Sequence, residues 1–215
     1  MIATARPFTV HQDEQRSPAW FQSRLGRLTG SKADTILGKL KNGGEPAARR
    51  DYRLQLVLER LTGCPQEEPF ANAAMQWGID QEPAAFAAYE ALTGVFADKS
   101  GFLSHNTLMA GCSLDGHVGD FEGICEFKAP KSATHLGYIR GGVVPADYLP
   151  QITHNLWISG AKWCHFLSFD PRMPANLRTF LREVKASDVD LAAYELAARL
   201  FLGEVEKELD AVRIL

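Results

Sequence analysis

Two carboxylates and a lysine lie at a spacing that suits metal-dependent hydrolysis of a phosphodiester. Asp115 stands in Ser-Leu-Asp-Gly, and Glu126 and Lys128 follow in Gly-Ile-Cys-Glu-Phe-Lys-Ala-Pro. The second segment is short, apolar and rich in strand formers, so Glu126 and Lys128, two positions apart, project from the same face. A hairpin with its turn over 116–123 would fold Asp115 back beside Glu126.

Two neighbouring carboxylates repel each other, and a hard divalent cation is the natural way to neutralise them. Mg²⁺ prefers oxygen ligands and takes one or two protein carboxylates together with waters and substrate phosphate oxygens. Asp115 and Glu126 would supply the carboxylates, and the carbonyl of Phe127 another oxygen. Lys128 would assist the attacking water and offset charge in the transition state. The alternative is a turn aspartate followed by a solvated strand face with one weak ion pair.

Two helical segments carry side chains that could join this site. Glu82 lies at or in the first half of a long predicted helix and shares a face with Phe86. The alternative is a solvated glutamate, and the proline that follows it predicts a helix start or kink. Gln151 shares a helix face with His154 and could position a water or a phosphate, or else cap its helix. The six histidines form no metal-binding array, which leaves His154 a minor candidate.

An arginine and two hydroxyls lie near a second helix start. Arg24 is followed by Thr29 and Ser31, an arrangement that binds phosphate through free N–H groups and the helix dipole. Plain capping of the helix by Thr29 or Ser31 is the alternative.

The composition is that of an ordinary soluble globular protein. The chain has 215 residues, 46% of them hydrophobic and 23% charged, which predicts one domain over 1–215. No apolar run approaches a membrane span, and the first residues do not form a secretory signal, so we expect a cytoplasmic protein without membrane contact. The four scattered cysteines predict neither a disulfide nor a zinc site. The net charge of −3 predicts that DNA, if bound, lies in a local basic groove, to which a loop over 39–48 could contribute.

The predicted elements must position these side chains. Apolar periodicity and capping signals predict helices over 18–24, 31–37, 49–61, 71–92, 132–140, 148–159 and 188–212. Three or four strands are expected over 96–126, with further strands over 163–169 and 177–184. This order predicts an α/β (α+β) fold in which a mixed central sheet carries helices on both faces.

Six segments, in order along the chain, together carry a family resemblance. They are Trp-Phe-Gln-Ser-Arg-Leu-Gly-Arg-Leu-Thr-Gly-Ser from Trp20, Trp-Gly-Ile-Asp-Gln-Glu from Trp77, Cys-Ser-Leu-Asp-Gly from Cys112, Glu-Phe-Lys-Ala-Pro from Glu126, Gln-Ile-Thr-His-Asn-Leu-Trp from Gln151, and Phe-Asp-Pro-Arg-Met from Phe169. The set resembles the phage lambda exonuclease group, the YqaJ-type viral recombinase nucleases.

The resemblance implies a restriction-endonuclease-like PD-(D/E)XK core and a magnesium-dependent exonuclease, with Mn²⁺ as a substitute metal. Such an enzyme degrades one strand of duplex DNA from its 5′ end, releases mononucleotides and leaves a 3′ single strand. Asp115 and Glu126 would bind Mg²⁺, Lys128 would assist the attacking water, and Glu82 and Gln151 would complete the metal and water environment.

The family's pocket for the 5′ phosphate falls on Arg24, Ser31 and Ser113. Two positions depart from the family pattern: Gly30 stands where we expect alanine, and Leu114 where proline is common. Neither changes a charged group.

The resemblance also implies a homotrimeric ring around the DNA, a single-strand-annealing partner, and a phage or prophage protein acting in the bacterial host cell. Three alternatives stay open. They are a structure- or sequence-specific endonuclease on the same fold, an inactive DNA-binding subunit, and an unrelated magnesium hydrolase of small phosphate esters.

Overall fold

The computed structural model describes residues 6–41, 43–66 and 73–214. The strands are β1 (Phe8–Val10), β2 (Leu28–Thr29), β3 (Phe102–His105), β4 (Ala110–Ser113), β5 (Gly116–Val118), β6 (Gly123–Lys128), β7 (Trp163–Phe169) and β8 (Thr179–Lys185). The α-helices are α1 (Pro18–Arg24), α2 (Ala33–Leu37), α3 (Ala47–Thr62), α4 (Ala73–Thr93), α5 (Ser132–Gly141), α6 (Leu149–Ser159) and α7 (Leu191–Arg213). A 3-10 turn over Gly30–Lys32 precedes α2.

The strands form two four-stranded mixed sheets. The first has the order β1-β3-β4-β2 and the second the order β5-β6-β7-β8. Chain segment 114–115 links β4 of the first sheet to β5 of the second, so the strands expected over 96–126 divide between the two sheets. In the second sheet β5 and β6 form an antiparallel hairpin, and β7 runs parallel to β6 after a crossover through α5 and α6.

The two faces of β6 carry different side chains because strand residues alternate. Phe127 points towards α4, where its ring lies 5.4 Å from that of Tyr89 and 5.7 Å from that of Phe86 between centroids. Glu126 and Lys128 both point the other way, towards α6, and so share one face as the sequence predicted. The mixed sheet with helices on both faces is therefore confirmed.

Helix α6 lies at the centre of the molecule. It contacts β3 and β4 of the first sheet and β6 and β7 of the second. Ile152, Leu156 and Ile158 have no exposed surface, whereas Gln151, in the first turn, is half-buried. This packing fixes the first turns of α6, with their polar side chains, against the strand that carries Glu126.

Most predicted elements are present, with three differences. Helix α4 runs through Pro83, so the proline does not start this helix, and positions 71–72 of the predicted helix lie outside the described residues. Thr29 belongs to β2 and its side chain caps no helix. The short strands β1 and β2 were not predicted. Ser17 caps α1 as expected, accepting a hydrogen bond of 3.2 Å from the Trp20 N–H. In the described ranges no helix has the length and apolarity needed to cross a membrane.

Candidate active site

A cavity of about 890 Å³ brings together side chains from α1, α3, α4, β6 and the 114–115 link. Asp115, Lys128 and Glu82 line it, and so do Arg24 and Ser31. Glu126, Gln151 and Ser113 lie directly behind lining residues and contact them. The structure therefore gathers around one cavity the predicted carboxylates, the lysine and the predicted phosphate-binding residues.

Glu126 is held by three side-chain donors. Its side chain is 2% exposed, and Oε1 accepts hydrogen bonds from the Lys128 ammonium and, at 2.7 Å, from Gln151 Nε2. Oε2 accepts a hydrogen bond of 3.1 Å from Asn155 Nδ2. A carboxylate offers about four lone-pair positions. The three donors therefore fix the orientation of Glu126 and leave one position for a further partner.

Asn155 is a site residue that sequence reasoning missed. It lies four positions after Gln151 on α6, which places both amides on the face that meets Glu126. The spacing could have revealed it, but a neutral amide carries no chemical signal of its own.

Asp115 lies on the turn before β5 and reaches back to β6. Its Oδ2 accepts a hydrogen bond of 2.5 Å from the Phe127 N–H, as expected if the hairpin folds the first carboxylate beside the second. Burial, followed by the negative charge of Glu126, raises the pKa of Asp115 to about 7. The ionised form of Asp115 therefore needs a cation.

Lys128 is a permanent cation at the cavity wall. Burial lowers the pKa of its ammonium, but the carboxylates of Glu126 and Asp115 together raise it by more than burial lowers it. The pKa therefore lies above the usual value. The ammonium also lies 5.2 Å from the centre of the Tyr148 ring and 3.5 Å from Gln151 Oε1. Lys128 is therefore a protonated cation at neutral pH beside the two carboxylates.

Glu82 faces the same cavity from α4 but is paired with basic side chains. Lys99 Nζ donates to Glu82 Oε1 at 2.8 Å, and an Arg16 guanidinium nitrogen lies 3.6 Å from Oε2. Its charge contributes to the raised pKa of Asp115, which places it within electrostatic reach of the site. Glu82 thus lies beside the cluster, and its hydrogen bond goes to Lys99.

Arg24 and Ser113 contact each other in the part of the cavity that α1 lines. The Ser113 hydroxyl oxygen accepts hydrogen bonds from Arg24 at 3.2 Å and from the Trp20 indole N–H at 3.1 Å. The guanidinium also lies over the Trp20 ring, 4.1 Å from its centre. Ser31 lines the cavity nearby, 3.4 Å from the Thr29 hydroxyl. Ser113 and Trp20 therefore both help to orient Arg24.

His154 is a structural residue. It has no exposed surface, its Nε2–H donates to the Gly111 carbonyl at 2.9 Å, and its Nδ1 accepts from the Tyr194 hydroxyl at 2.8 Å. Burial lowers its pKa to about 4, so the ring is neutral. Both nitrogens are occupied, and the minor candidacy of His154 as a metal ligand was wrong.

The donor set fits Mg²⁺ better than a metal that needs a complete protein cage. In the described part of the chain, no three His, Cys, Asp or Glu side chains form a metal-binding group. Asp115 and Glu126 offer two carboxylates, the number that Mg²⁺ commonly takes from a protein. Phe127, the residue after Glu126, lines the cavity, and its carbonyl would supply a third oxygen.

Comparison with solved structures gives close matches over nearly the whole chain. The alkaline exonuclease LHK-Exo from Laribacter hongkongensis is 33% identical, with a TM-score of 0.82 over 92% of this chain and 96% of that one. The structure of LHK-Exo in complex with dAMP matches equally well. A phage-related exonuclease from Haemophilus somnus 129PT shares the fold at 12% identity, with a TM-score of 0.64 over 86% of this chain and 94% of that one.

A search among curated protein sequences finds no significant match. The YqaJ-like viral recombinase domain family matches residues 19–162, a range that contains every site residue named above except Arg16. The match covers more than half of the chain and includes both the carboxylate–lysine cluster and the Arg24–Ser113 pair. The chain therefore belongs to the YqaJ-like viral recombinase domain family.

Proposed function

We propose that this protein is a magnesium-dependent exonuclease that degrades one strand of duplex DNA from its 5′ end. It releases mononucleotides and leaves 3′ single-stranded DNA for recombination by strand annealing. One observation carries the proposal: the cavity that holds Asp115 and Lys128 is also lined by Arg24, which Ser113 orients.

The family and its relatives support a DNA exonuclease. LHK-Exo is an alkaline exonuclease, and it binds dAMP in one of its structures. A deoxynucleoside monophosphate is the class of product that a mononucleotide-releasing exonuclease forms. At 33% identity over nearly the full length of both chains, the same reaction class is expected for this protein.

The side chains divide the work of phosphodiester hydrolysis. Asp115 and Glu126 bind the metal, with the Phe127 carbonyl beside them, and Mn²⁺ is expected to substitute for Mg²⁺. When bound, Mg²⁺ supplies Lewis-acid polarisation of the scissile phosphate. The Lys128 ammonium stabilises negative charge that grows on the phosphate, because its raised pKa keeps it protonated at neutral pH.

Gln151 acts on the orientation of its neighbours. Its Nε2 donates to Glu126 while its Oε1 accepts from Lys128, so one amide fixes both charged groups. Glu82 contributes negative charge at the edge of the metal site. The family resemblance implies that the two residues complete the metal and water environment, and these positions are compatible with that role.

A preference for 5′ ends follows from the Arg24 pocket. A terminal phosphate carries more charge than an internal phosphodiester, and the guanidinium binds it with paired hydrogen bonds. Arg24, Ser31 and Ser113 would hold this group while the bond to the next nucleotide lies at Asp115 and Lys128. Only the 5′ end of a strand can then place a terminal phosphate at Arg24 and a scissile bond at Asp115 and Lys128 at the same time.

The assembly and its setting are part of the proposal. A homotrimeric ring would concentrate basic side chains around the DNA and so reconcile DNA binding with a net charge of −3. We expect a single-strand-annealing partner and action in the cytoplasm of a bacterial host. Light scattering at micromolar protein tests the ring, and a monomer mass would contradict it.

The reaction is tested on one linear duplex with 5′-phosphate or 5′-hydroxyl ends, labelled at each terminus in turn. Mg²⁺, Mn²⁺ and EDTA conditions are compared, and a covalently closed circle is the control. Loss of label from the 5′ side only, faster with phosphate and absent on the circle, is expected. Cutting of the circle would identify an endonuclease, and binding without cleavage an inactive subunit.

A further inference from the structure

The second carboxylate oxygen of Glu126, Oε2, is hydrogen-bonded by a residue to which the family resemblance assigns no role. Asn155 Nδ2 donates to Glu126 Oε2 at 3.1 Å, while Lys128 and Gln151 share the other oxygen. Asn155 is 1% exposed, and its buried Oδ1 has no hydrogen-bond partner among the residues that the structure describes. The amide is therefore oriented by Glu126 and leaves its own acceptor unsatisfied.

Gly30 faces this amide from the 3-10 turn that precedes α2. A Cβ atom at position 30 would lie 2.5 Å from Asn155 Oδ1 and 3.4 Å from His154 Cδ2. The φ angle of Gly30 is not positive, so the backbone conformation does not require glycine. The requirement is space, and the atom that occupies the space is the unsatisfied oxygen of Asn155.

His154 cannot relieve the crowding by moving. Its two ring nitrogens are tied to the Gly111 carbonyl and the Tyr194 hydroxyl, and its side chain has no exposed surface. A methyl group at position 30 must therefore displace the Asn155 amide, and with it the hydrogen bond to Glu126.

We propose that Asn155 is a positioning residue that fixes the Glu126 carboxylate, and that residue 30 is glycine because the Asn155 amide fills the space of a side chain there. This accounts for glycine at the position where the family resemblance led us to expect alanine. The effect of Gly30 and Asn155 on catalysis rests on the proposed function, in which Glu126 is a metal ligand.

The test is a double-mutant cycle of Gly30→Ala and Asn155→Ser. Gly30→Ala alone should lower kcat about 10- to 100-fold, as expected for loss of a hydrogen bond to a charged group, and weaken Mg²⁺ binding in calorimetry. KM for DNA should stay within about twofold, because the DNA-binding surface is untouched. Asn155→Ser should give a similar loss.

The decisive comparison is the double variant. With serine at position 155 the methyl group at position 30 meets no amide, so Gly30→Ala should add no further loss. Gly203→Ala is the matched control, because a Cβ there has no neighbour within 4 Å and the glycine lies in α7, away from the site. It should leave kcat and metal affinity unchanged.

A readout without DNA keeps this test separate from the proposed function. Urea denaturation in EDTA should show a lower midpoint for Gly30→Ala than for wild type, but no such difference between the double variant and Asn155→Ser. A Gly30→Ala protein with wild-type kcat, metal affinity and midpoint would overturn the proposal. A cost of Gly30→Ala that persists beside Asn155→Ser would overturn it too. If the wild type digests no DNA, the proposed function fails, while metal affinity and the denaturation cycle still decide the pairing.

Discussion

Lys128 donates a hydrogen bond to the carboxylate of Glu126, two positions before it on the same strand. The ammonium lines the cavity, whereas Glu126 is buried behind it. Because the two side chains share one face of β6, the strand itself fixes the pair. The arrangement presents a cation at the cavity wall, with the negative charge of Glu126 holding its proton in place.

Replacing Lys128 with methionine should abolish turnover and spare binding. The substitution keeps the length of the side chain but removes the charge that offsets the developing negative charge on the phosphate. We expect kcat to fall by at least about 100-fold, measured as single-turnover digestion of a 5′-labelled duplex. The Kd for duplex DNA, measured by fluorescence anisotropy in Ca²⁺, should change by less than about threefold because one buried charge contributes little to nonspecific binding. Equal losses in binding and turnover would contradict this role.

Metal binding should depend on pH through Asp115. The pKa of this carboxyl is raised to about 7 by burial and by Glu126, and a cation binds only its ionised form. Below pH 7 the apparent affinity for Mg²⁺ should therefore fall by up to about tenfold per pH unit, and above pH 7 it should be constant. Calorimetric titration of the DNA-free protein between pH 5.5 and 8.5 measures this directly. A flat profile would show that Asp115 is ionised throughout the range.

The same carboxyl should make the metal-free protein less stable as pH rises. The folded protein holds the Asp115 proton up to about pH 7, whereas the unfolded chain releases it near the ordinary aspartate pKa of 3.8. Between these values the folded state binds more protons, so the free energy of unfolding falls with increasing pH. Asp115→Asn has no such titration. Because each unit of pKa difference corresponds to about 1.4 kcal/mol, it should gain stability over wild type on the order of 4 kcal/mol by pH 7.5 and little at pH 4. Urea denaturation in EDTA measures the difference.

Local sequence rules were sufficient for the centre of the site. Strand alternation placed Glu126 and Lys128 on one face, and the turn over 116–123 placed Asp115 beside them. Helical spacing was less successful on α6: it paired Gln151 with His154, whereas Gln151 contacts Glu126 together with Asn155. Each of these relationships spans at most a hairpin or one helix turn, which is the range over which a pattern of residue types determines geometry.

The remaining features depend on contacts between distant segments. Strand β2 has two residues and exists because it pairs with β4, some 80 positions later, so its own residues carry no pattern that could predict it. The division of the strands into two sheets has the same origin. Gly30 opposite Asn155 is also a long-range relationship, and only the folded chain explains why a small residue stands there.

Glu82 and its partner Lys99 allow a metal role to be separated from a structural one. If Glu82 contributes to the metal environment, Glu82→Gln should lower Mg²⁺-dependent turnover about tenfold. Lys99→Met should have little effect on turnover, because this half-exposed ion pair contributes only about 0–1 kcal/mol to stability. Both variants are compared at saturating and at limiting Mg²⁺. Equal behaviour of the two would assign Glu82 a structural role.

Arg24 should set the preference for phosphorylated ends. Arg24→Lys keeps the charge but loses the planar fork that is held by Ser113 and stacked on Trp20. We expect the ratio of digestion rates on 5′-phosphate and 5′-hydroxyl duplexes to fall by about tenfold or more. Arg27→Gln is the matched control, since Arg27 lines the same cavity but donates to the Leu108 carbonyl at 3.5 Å instead of to Ser113. It should change both rates in parallel and leave their ratio intact. An unchanged ratio for Arg24→Lys, or an equal fall for Arg27→Gln, would place the recognition of the 5′ phosphate elsewhere in the cavity.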